Sequence, residues 1–151
     1  MNRVLLPEGW PRPKGYSNGV AAEGRMVFVA GQIGWDVDGA FPEGFADQFR
    51  QTIDNTLAVL AEAGAGPEHI VRMTWYVVDK AEYLASLRDI GAIWRERIGP
   101  HYPAMAVVEI AVVRRGQGQG GGPANGARPG GPQDQDVRRG ESSLATGAAE
   151  C

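Results

Sequence analysis

Hydrophobic residues recur every three or four positions in two stretches of the chain, which is the spacing of one helical face. The first stretch ends at Gly64, and the second follows Asp79, a residue type that favours the N-cap position. We therefore predict one helix that begins near residue 45 and a second over Lys80–Ile98. The apolar positions are Phe45, Phe49, Ile53, Leu57 and Leu60 in the first stretch, and Tyr83, Leu87, Ile90, Trp94 and Ile98 in the second.

Two further stretches have the character of strands. Between Ile70 and Val78, apolar and polar residues alternate, which predicts a strand with one buried face. From Ala104 to Val113 the chain is apolar except at Glu109. This continuous run predicts a strand that is covered on both faces or buried in a subunit contact.

The region before the first helix predicts a hairpin. The extended runs 16–22 and 25–30 are joined through Glu23-Gly24, where glycine can supply the positive φ of a tight turn. The order hairpin, helix, strand, helix, strand then predicts an α+β domain with a mixed sheet and two helices on one face. Several strand positions that would point away from the helices are apolar, so we expect an oligomer to cover them.

The composition changes at Arg114. Every aromatic residue and methionine precedes this position, and only Val137 and Leu144 follow it as large apolar residues. Because such a segment buries too little surface to offset its ordering entropy, we predict a domain at 1–113 and a disordered tail at 114–151. Gly, Ala, Arg and Pro fill 23 of the 38 tail positions, which fits either a natural low-complexity tail or an out-of-frame reading of a GC-rich gene.

Charge and cysteine content narrow the class of protein. The net charge of −3 argues against a nucleic-acid partner, which usually meets a basic face. No stretch approaches the roughly 20 apolar residues of a membrane helix, so no membrane partner is expected. Cys151 is the single cysteine and cannot form an internal disulfide. We therefore expect a cytoplasmic protein.

Several short segments carry a resemblance to a known family. They are Gly15-Tyr16-Ser17-Asn18, Phe28-Val29-Ala30-Gly31-Gln32-Ile33, Gln51-Thr52-Ile53-Asp54-Asn55, Val71-Arg72-Met73-Thr74, and Tyr102-Pro103-Ala104 with Val108-Glu109. In these segments the chain resembles the Rid family (YjgF/YER057c/UK114), named for reactive intermediate deaminase. The resemblance runs through residues 15–113. It implies a fold like that of the small bacterial chorismate mutases, a homotrimer with clefts between subunits, and no metal or organic cofactor.

The resemblance also implies a reaction and a set of cleft positions. Active members hydrolyse enamine and imine intermediates to 2-keto acids and ammonia, and an arginine holds the substrate carboxylate. That arginine falls on Met105, and a thioether cannot replace a bidentate guanidinium. Polar cleft positions of the family likewise fall on apolar residues. The implied cleft comprises Tyr16, Ala30, Gly31, Leu87, Met105 and Val107, and we assign none of them a catalytic role.

The family's catalytic glutamate lies on a last strand, which the resemblance implies is inserted between the strands at 26–30 and 70–78. The segment expected near 115–125 is Gly-rich here, so we predict that this central strand is missing and the sheet damaged. Glu109 aligns with a different family glutamate and does not replace it.

Three functions remain open at this stage. The first is an apolar cleft that binds or transforms a small molecule with deaminase chemistry lost. The second is a weak enamine or imine deaminase, and the third is a non-catalytic binding or chaperone-like protein.

Overall fold

The computed structural model describes residues 2–111 and the backbone of a strand at residues 144–150. Three α-helices and seven strands occur in this part of the chain, with a 3-10 turn at Pro67–His69. The helices are α1 (Phe45–Glu62), α2 (Lys80–Ala85) and α3 (Leu87–Arg97). The strands are β1 (Arg3–Leu5), β2 (Gly19–Ala21), β3 (Phe28–Val29), β4 (Gln32–Ile33), β5 (Arg72–Val77), β6 (Ala104–Glu109) and β7 (Leu144–Glu150).

Five of the strands form one mixed sheet in the order β3, β7, β5, β6, and β4 also pairs with β7. Strand β5 runs parallel to β6 and antiparallel to β7. Strands β1 and β2 form a separate two-stranded sheet. The predicted mixed sheet with helices is therefore confirmed, although the structure contains three helices where two were expected.

The core lies between the helices and one face of the sheet. Met73, Trp75 and Val77 of β5 are buried and alternate with Arg72, Thr74 and Tyr76, as the period-two pattern predicts. The predicted stripe on the first helix is also confirmed, because α1 buries its apolar face against these strands. The buried residues of that face include Phe45, Phe49, Ile53 and Leu60.

The prediction that the central strand is missing is wrong. Strand β7 lies between β3 and β5 and is antiparallel to both, with Phe28 opposite Glu150 and Thr74 opposite Gly147. Its sequence, Leu-Ala-Thr-Gly-Ala-Ala-Glu, has almost no large apolar residue, so side-chain alternation cannot reveal it. Backbone N–H and C=O groups suffice for pairing between two strands that need a partner. Residues 112–143, most of the predicted tail, lie outside the described residues.

The predicted hairpin between 16–22 and 25–30 is also wrong. Strand β2 pairs with β1, where Val20 lies opposite Val4, and β3 pairs with β7. Both halves of the expected hairpin therefore find partners that are distant in sequence. Gly24 does have a positive φ of 138°, but the chain around it forms no ladder between its flanks.

The predicted second helix is interrupted at Ser86, which separates α2 from α3. The Ser86 backbone has a ψ of 3°, and its N–H is shared between the carbonyl oxygens of Glu82 and Tyr83 at 3.0 and 3.1 Å. The predicted N-cap is confirmed, because Asp79 Oδ1 accepts from the N–H groups of Ala81 and Glu82 at 2.8 and 3.0 Å.

Strand β6 is shorter than the predicted run 104–113 and forms one edge of the sheet. Residues from Ala106 to Glu109 are exposed, including 42% of Val107 and 41% of Val108. The prediction of cover on both faces is therefore not met within one chain, and cover by a subunit contact stays a prediction. Across residues 2–111, no helix has the length and apolar character needed to cross a membrane.

Candidate functional site

A cavity of about 580 Å³ lies between helix α3 and strands β5 and β6. Helix α3 presents one face to it, because its lining residues are spaced three or four positions apart. These residues are Leu87, Ile90, Gly91, Trp94 and Arg95. The volume falls within the range of roughly 300–1,000 Å³ that is usual for small-molecule sites.

The wall of the cavity is aromatic. Phe49 stacks on Trp75 with ring centroids 4.8 Å apart, and Trp75 meets Trp94 edge to face at 6.3 Å. Trp94 in turn stacks on Tyr102 at 6.2 Å. A continuous series of packed rings therefore connects α1, the sheet, α3 and the segment before β6, and it gives the cavity an aromatic wall.

Strand β6 contributes Met105 and Val107 to the wall of the cavity. They alternate with Ala106, so both side chains lie on the same face of the strand. The indole Nε1 of Trp75 donates to Met105 Sδ at 3.5 Å. The position that the resemblance gives to the family's arginine is thus an apolar part of the wall.

The loop before β2 forms another side of the cavity with Lys14, Gly15 and Tyr16. Backbone pairing holds this loop beside β6, because the Ser17 N–H donates to the Pro103 carbonyl oxygen at 3.0 Å. The Ser17 hydroxyl also donates to the Tyr102 carbonyl oxygen. Tyr16 remains 44% exposed, so part of this residue is accessible from solvent.

Two aromatic residues of the wall carry a polar group, namely the hydroxyl of Tyr83 and the indole N–H of Trp94. Burial raises the pKa of the Tyr83 hydroxyl, which therefore stays protonated and can donate at neutral pH. The Trp94 Nε1 donates to the His101 carbonyl oxygen at 3.1 Å, which fastens α3 to the segment that leads into β6. Trp94 is therefore held against the segment before β6.

Lys14 and Arg95 are the charged residues among those that line the cavity. No Asp or Glu of residues 2–111 lines it. Both cations are exposed, so they lie at the solvent-facing rim. The site therefore combines an aromatic interior with a cationic rim.

The structure brings four of the six predicted cleft residues together, namely Tyr16, Leu87, Met105 and Val107. Ala30 and Gly31 do not line this cavity; they are exposed between β3 and β4, at the opposite edge of the sheet from β6. Trp75 and Trp94 are at most 5% exposed, so both belong to the core. Sequence reasoning missed Lys14 and Arg95, although Arg95 lies one position after a residue of the predicted apolar stripe.

Glu109 lies near the start of α2. Its Oε1 accepts from the Lys80 backbone N–H at 3.0 Å, so it neutralises part of the exposed N-terminus of that helix. Glu109 does not line the cavity. Within the part of the chain that the structure describes, no group of three or more His, Cys, Asp or Glu residues is placed to hold a metal ion.

Comparisons with known proteins agree on one family. The family model described as Endoribonuclease L-PSP matches residues 11–117. A RutC family protein of Pyrococcus horikoshii is 32% identical over 114 residues, covering 74% of this chain and 86% of that protein. A protein of Salmonella typhimurium named 2-iminobutanoate/2-iminopropanoate deaminase is also 32% identical, over 74% of this chain and 87% of its own.

A solved structure supports the same assignment. The crystal structure of YyfB from Yersinia pestis, described as a protein of unknown function of the conserved Rid protein family, superimposes with a TM-score of 0.70 at 25% identity. The alignment covers 99% of this chain and 97% of that one. Similarity therefore extends over nearly the whole of both chains.

Proposed function

This chain belongs to the Rid family, which the Endoribonuclease L-PSP model describes, and from that premise we propose that its aromatic cavity binds a small metabolite without imine deaminase chemistry. The cavity gathers four of the six positions that the resemblance assigns to a family cleft, namely Tyr16, Leu87, Met105 and Val107. Its apolar wall favours a ligand with a substantial hydrophobic part.

Met105 is the observation that carries this proposal. It occupies the position of the family's carboxylate-binding arginine, and its sulfur faces the indole N–H of Trp75. A thioether is a weak acceptor and donates no hydrogen bond, so Met105 cannot hold the carboxylate of an imino acid. Loss of the anchor removes the alignment that hydrolysis of the C=N bond requires.

Enamine and imine deamination is the second candidate. Two relatives, from Salmonella typhimurium and Escherichia coli, are named 2-iminobutanoate/2-iminopropanoate deaminase and are 32% and 31% identical to this chain. This candidate requires another group to bind the substrate carboxylate and another acid to activate water. No carboxyl group of residues 2–111 lines the cavity to activate water, Met105 cannot hold a carboxylate, and the cations Lys14 and Arg95 lie at the solvent-facing rim.

The proposal includes a chorismate-mutase-like homotrimer in the cytoplasm, with clefts between subunits. Two exposed features support an assembly: the apolar edge strand β6, and the Ala30-Gly31 junction at the far edge of the sheet. A neighbouring copy would cover β6 and could bring Ala30 and Gly31 to its cavity. Light scattering tests this part, since a trimer has three times the chain mass of 16.1 kDa.

A neutral aromatic probe tests the binding proposal itself. We expect 3-phenylpropanamide to bind the full chain in calorimetry, and Val107→Trp to abolish binding because the larger ring fills the cavity. Val59→Trp is the matched control, because Val59 is exposed to a similar extent on α1 and lies outside the cavity. Equal binding by the Val107→Trp variant would place the probe elsewhere and contradict the proposal.

A further inference from the structure

We propose that Arg95 and Lys14 form an anion-binding rim, and that the ligand of the cavity is an aromatic carboxylate whose ring lies inside while its carboxylate meets this rim. The inference rests on the proposed function, because it assigns a ligand class to the same cavity. It differs from the family's arrangement, since the cations lie on α3 and on the loop before β2.

The arginine side chain is directed back along its own helix. A Cβ built on Gly91 would lie 3.5 Å from an Nη atom of Arg95, so the guanidinium covers the helix surface one turn before its own Cα. Helical side chains lean toward the N-terminus, which places the guanidinium beside Gly91 on the preceding turn. This orientation keeps Arg95 on the face of α3 that borders the cavity.

The charge of Arg95 is available to a ligand. Within residues 2–111, the neighbouring Arg97 pairs with Asp54 and Glu96, and Glu96 also pairs with Arg50. Arg95 has no ion pair in the same part of the chain. Its planar guanidinium can bind a carboxylate with two parallel hydrogen bonds, and the Lys14 ammonium adds positive charge at the same rim.

The size and lining of the cavity interior favour an aromatic ring as the uncharged part of the ligand. A volume of about 580 Å³ greatly exceeds that of a three-carbon imino acid, and the lining includes the partly exposed side chains of Tyr16, Tyr102 and Val107. A planar ring would displace water from this surface and gain stacking contacts. Because Met105 leaves the interior without an anion anchor, the carboxylate is held only at the rim.

Three probes separate these contributions on the full chain. They are 3-phenylpropanoate, its uncharged analogue 3-phenylpropanamide, and propanoate, which lacks the ring. We expect 3-phenylpropanoate to bind roughly tenfold more tightly than the amide in calorimetry at low salt, as a charge-assisted contact at an exposed rim allows. Propanoate should show no measurable binding. Equal affinity for 3-phenylpropanoate and the amide would overturn the inference.

Paired substitutions test the residues. In Lys14→Gln/Arg95→Gln the preference for the carboxylate over the amide should fall from roughly tenfold to about one, while binding of the amide persists. The control Lys80→Gln/Arg88→Gln removes the same charge from exposed positions that do not line the cavity, and should keep the preference. The inference would be overturned if Lys14→Gln/Arg95→Gln kept the preference for the carboxylate, or if both double variants lost it equally.

The outcomes also separate this inference from the proposed function. If both aromatic probes bind equally and Val107→Trp blocks both, the cavity is a ligand site and the anion rim is rejected. If neither aromatic probe binds, the inference and the proposed binding function both fail. Thermal unfolding of each variant confirms that it is folded before its affinity is compared.

Discussion

The indole N–H of Trp75 points to the sulfur of Met105, with 3.5 Å between Nε1 and Sδ. The two residues lie on adjacent parallel strands, where Trp75 is in register with Val107 and Met73 with Met105. Methionine at this position is therefore part of a packed aromatic and sulfur contact, which connects β5 and β6 at the wall of the cavity. Met105, at the position that the resemblance gives to the family's arginine, therefore has a structural partner.

Met105→Leu should lower the free energy of unfolding by about 1 kcal/mol, because leucine preserves most of the volume but leaves the Trp75 N–H without its acceptor. Chemical denaturation measures the change. Met26→Leu is the control, since Met26 is 71% exposed and should change stability little. A loss in Trp75→Phe/Met105→Leu equal to the sum of the two single losses, with no coupling energy between the sites, would contradict a contribution from this contact.

Gly91→Ala should raise the free energy of unfolding by about 0.5–1 kcal/mol, because alanine favours a helix interior over glycine. The new Cβ would lie 3.5 Å from Arg95, which is an ordinary contact. Gly34→Ala should instead destabilise, since its Cβ would lie 2.7 Å from the Gln48 backbone oxygen. Thermal unfolding compares the two variants, and destabilisation by both would contradict a gain from helix propensity at Gly91.

Asp79→Ala should destabilise the protein by about 1 kcal/mol, because the N–H groups of Ala81 and Glu82 lose their acceptor at the start of α2. Asp79→Asn should retain most of the stability, since its side-chain oxygen can accept the same bonds. Denaturant titration of both variants gives the comparison. An equal loss in both would indicate that the carboxylate charge, and not the cap geometry, stabilises this end.

The Arg50–Glu96 pair predicts a specific pH dependence. The hydrogen bond from Arg50, 2.8 Å long, lowers the pKa of Glu96 below its ordinary 4.5. A carboxylate with a depressed folded-state pKa stabilises above its unfolded pKa, and this contribution is lost as pH falls through the folded value. Glu96→Gln should thus be less stable than the parent at pH 7, with the difference shrinking below pH 4.5. A difference that stays constant on acidification would contradict this link between α1 and α3.

Periodicity predicted the parts of the fold that have one buried face. Large apolar residues recur every three or four positions in α1 and at every second position in β5, and the buried positions follow these two patterns. Strand β7 lacked this signal because its residues are mostly small. The pairing of β1 with β2 was not predicted, because turn rules consider only segments that are close together in sequence. Ser86 shows a further limit, since the apolar stripe continues across the break between α2 and α3.

The candidate site was accessible to sequence reasoning only in part. Resemblance located Tyr16, Leu87, Met105 and Val107, which the fold brings to one cavity. Arg95 was missed because an exposed arginine on a helix is usually solvated, and its direction over Gly91 appears only in three dimensions. Ala30 and Gly31 lie at the other edge of the sheet, so a shared cleft with the remaining four requires a second copy of the chain.

Ammonia release from 2-aminoacrylate generated in situ tests the claim that this protein has no imine deaminase activity. The full chain should leave the rate at that of buffer alone, because Met105 cannot hold the substrate carboxylate, while a relative named 2-iminobutanoate/2-iminopropanoate deaminase serves as the positive control. A rate that rises in proportion to the concentration of this protein would contradict the claim and establish imine deamination as its activity.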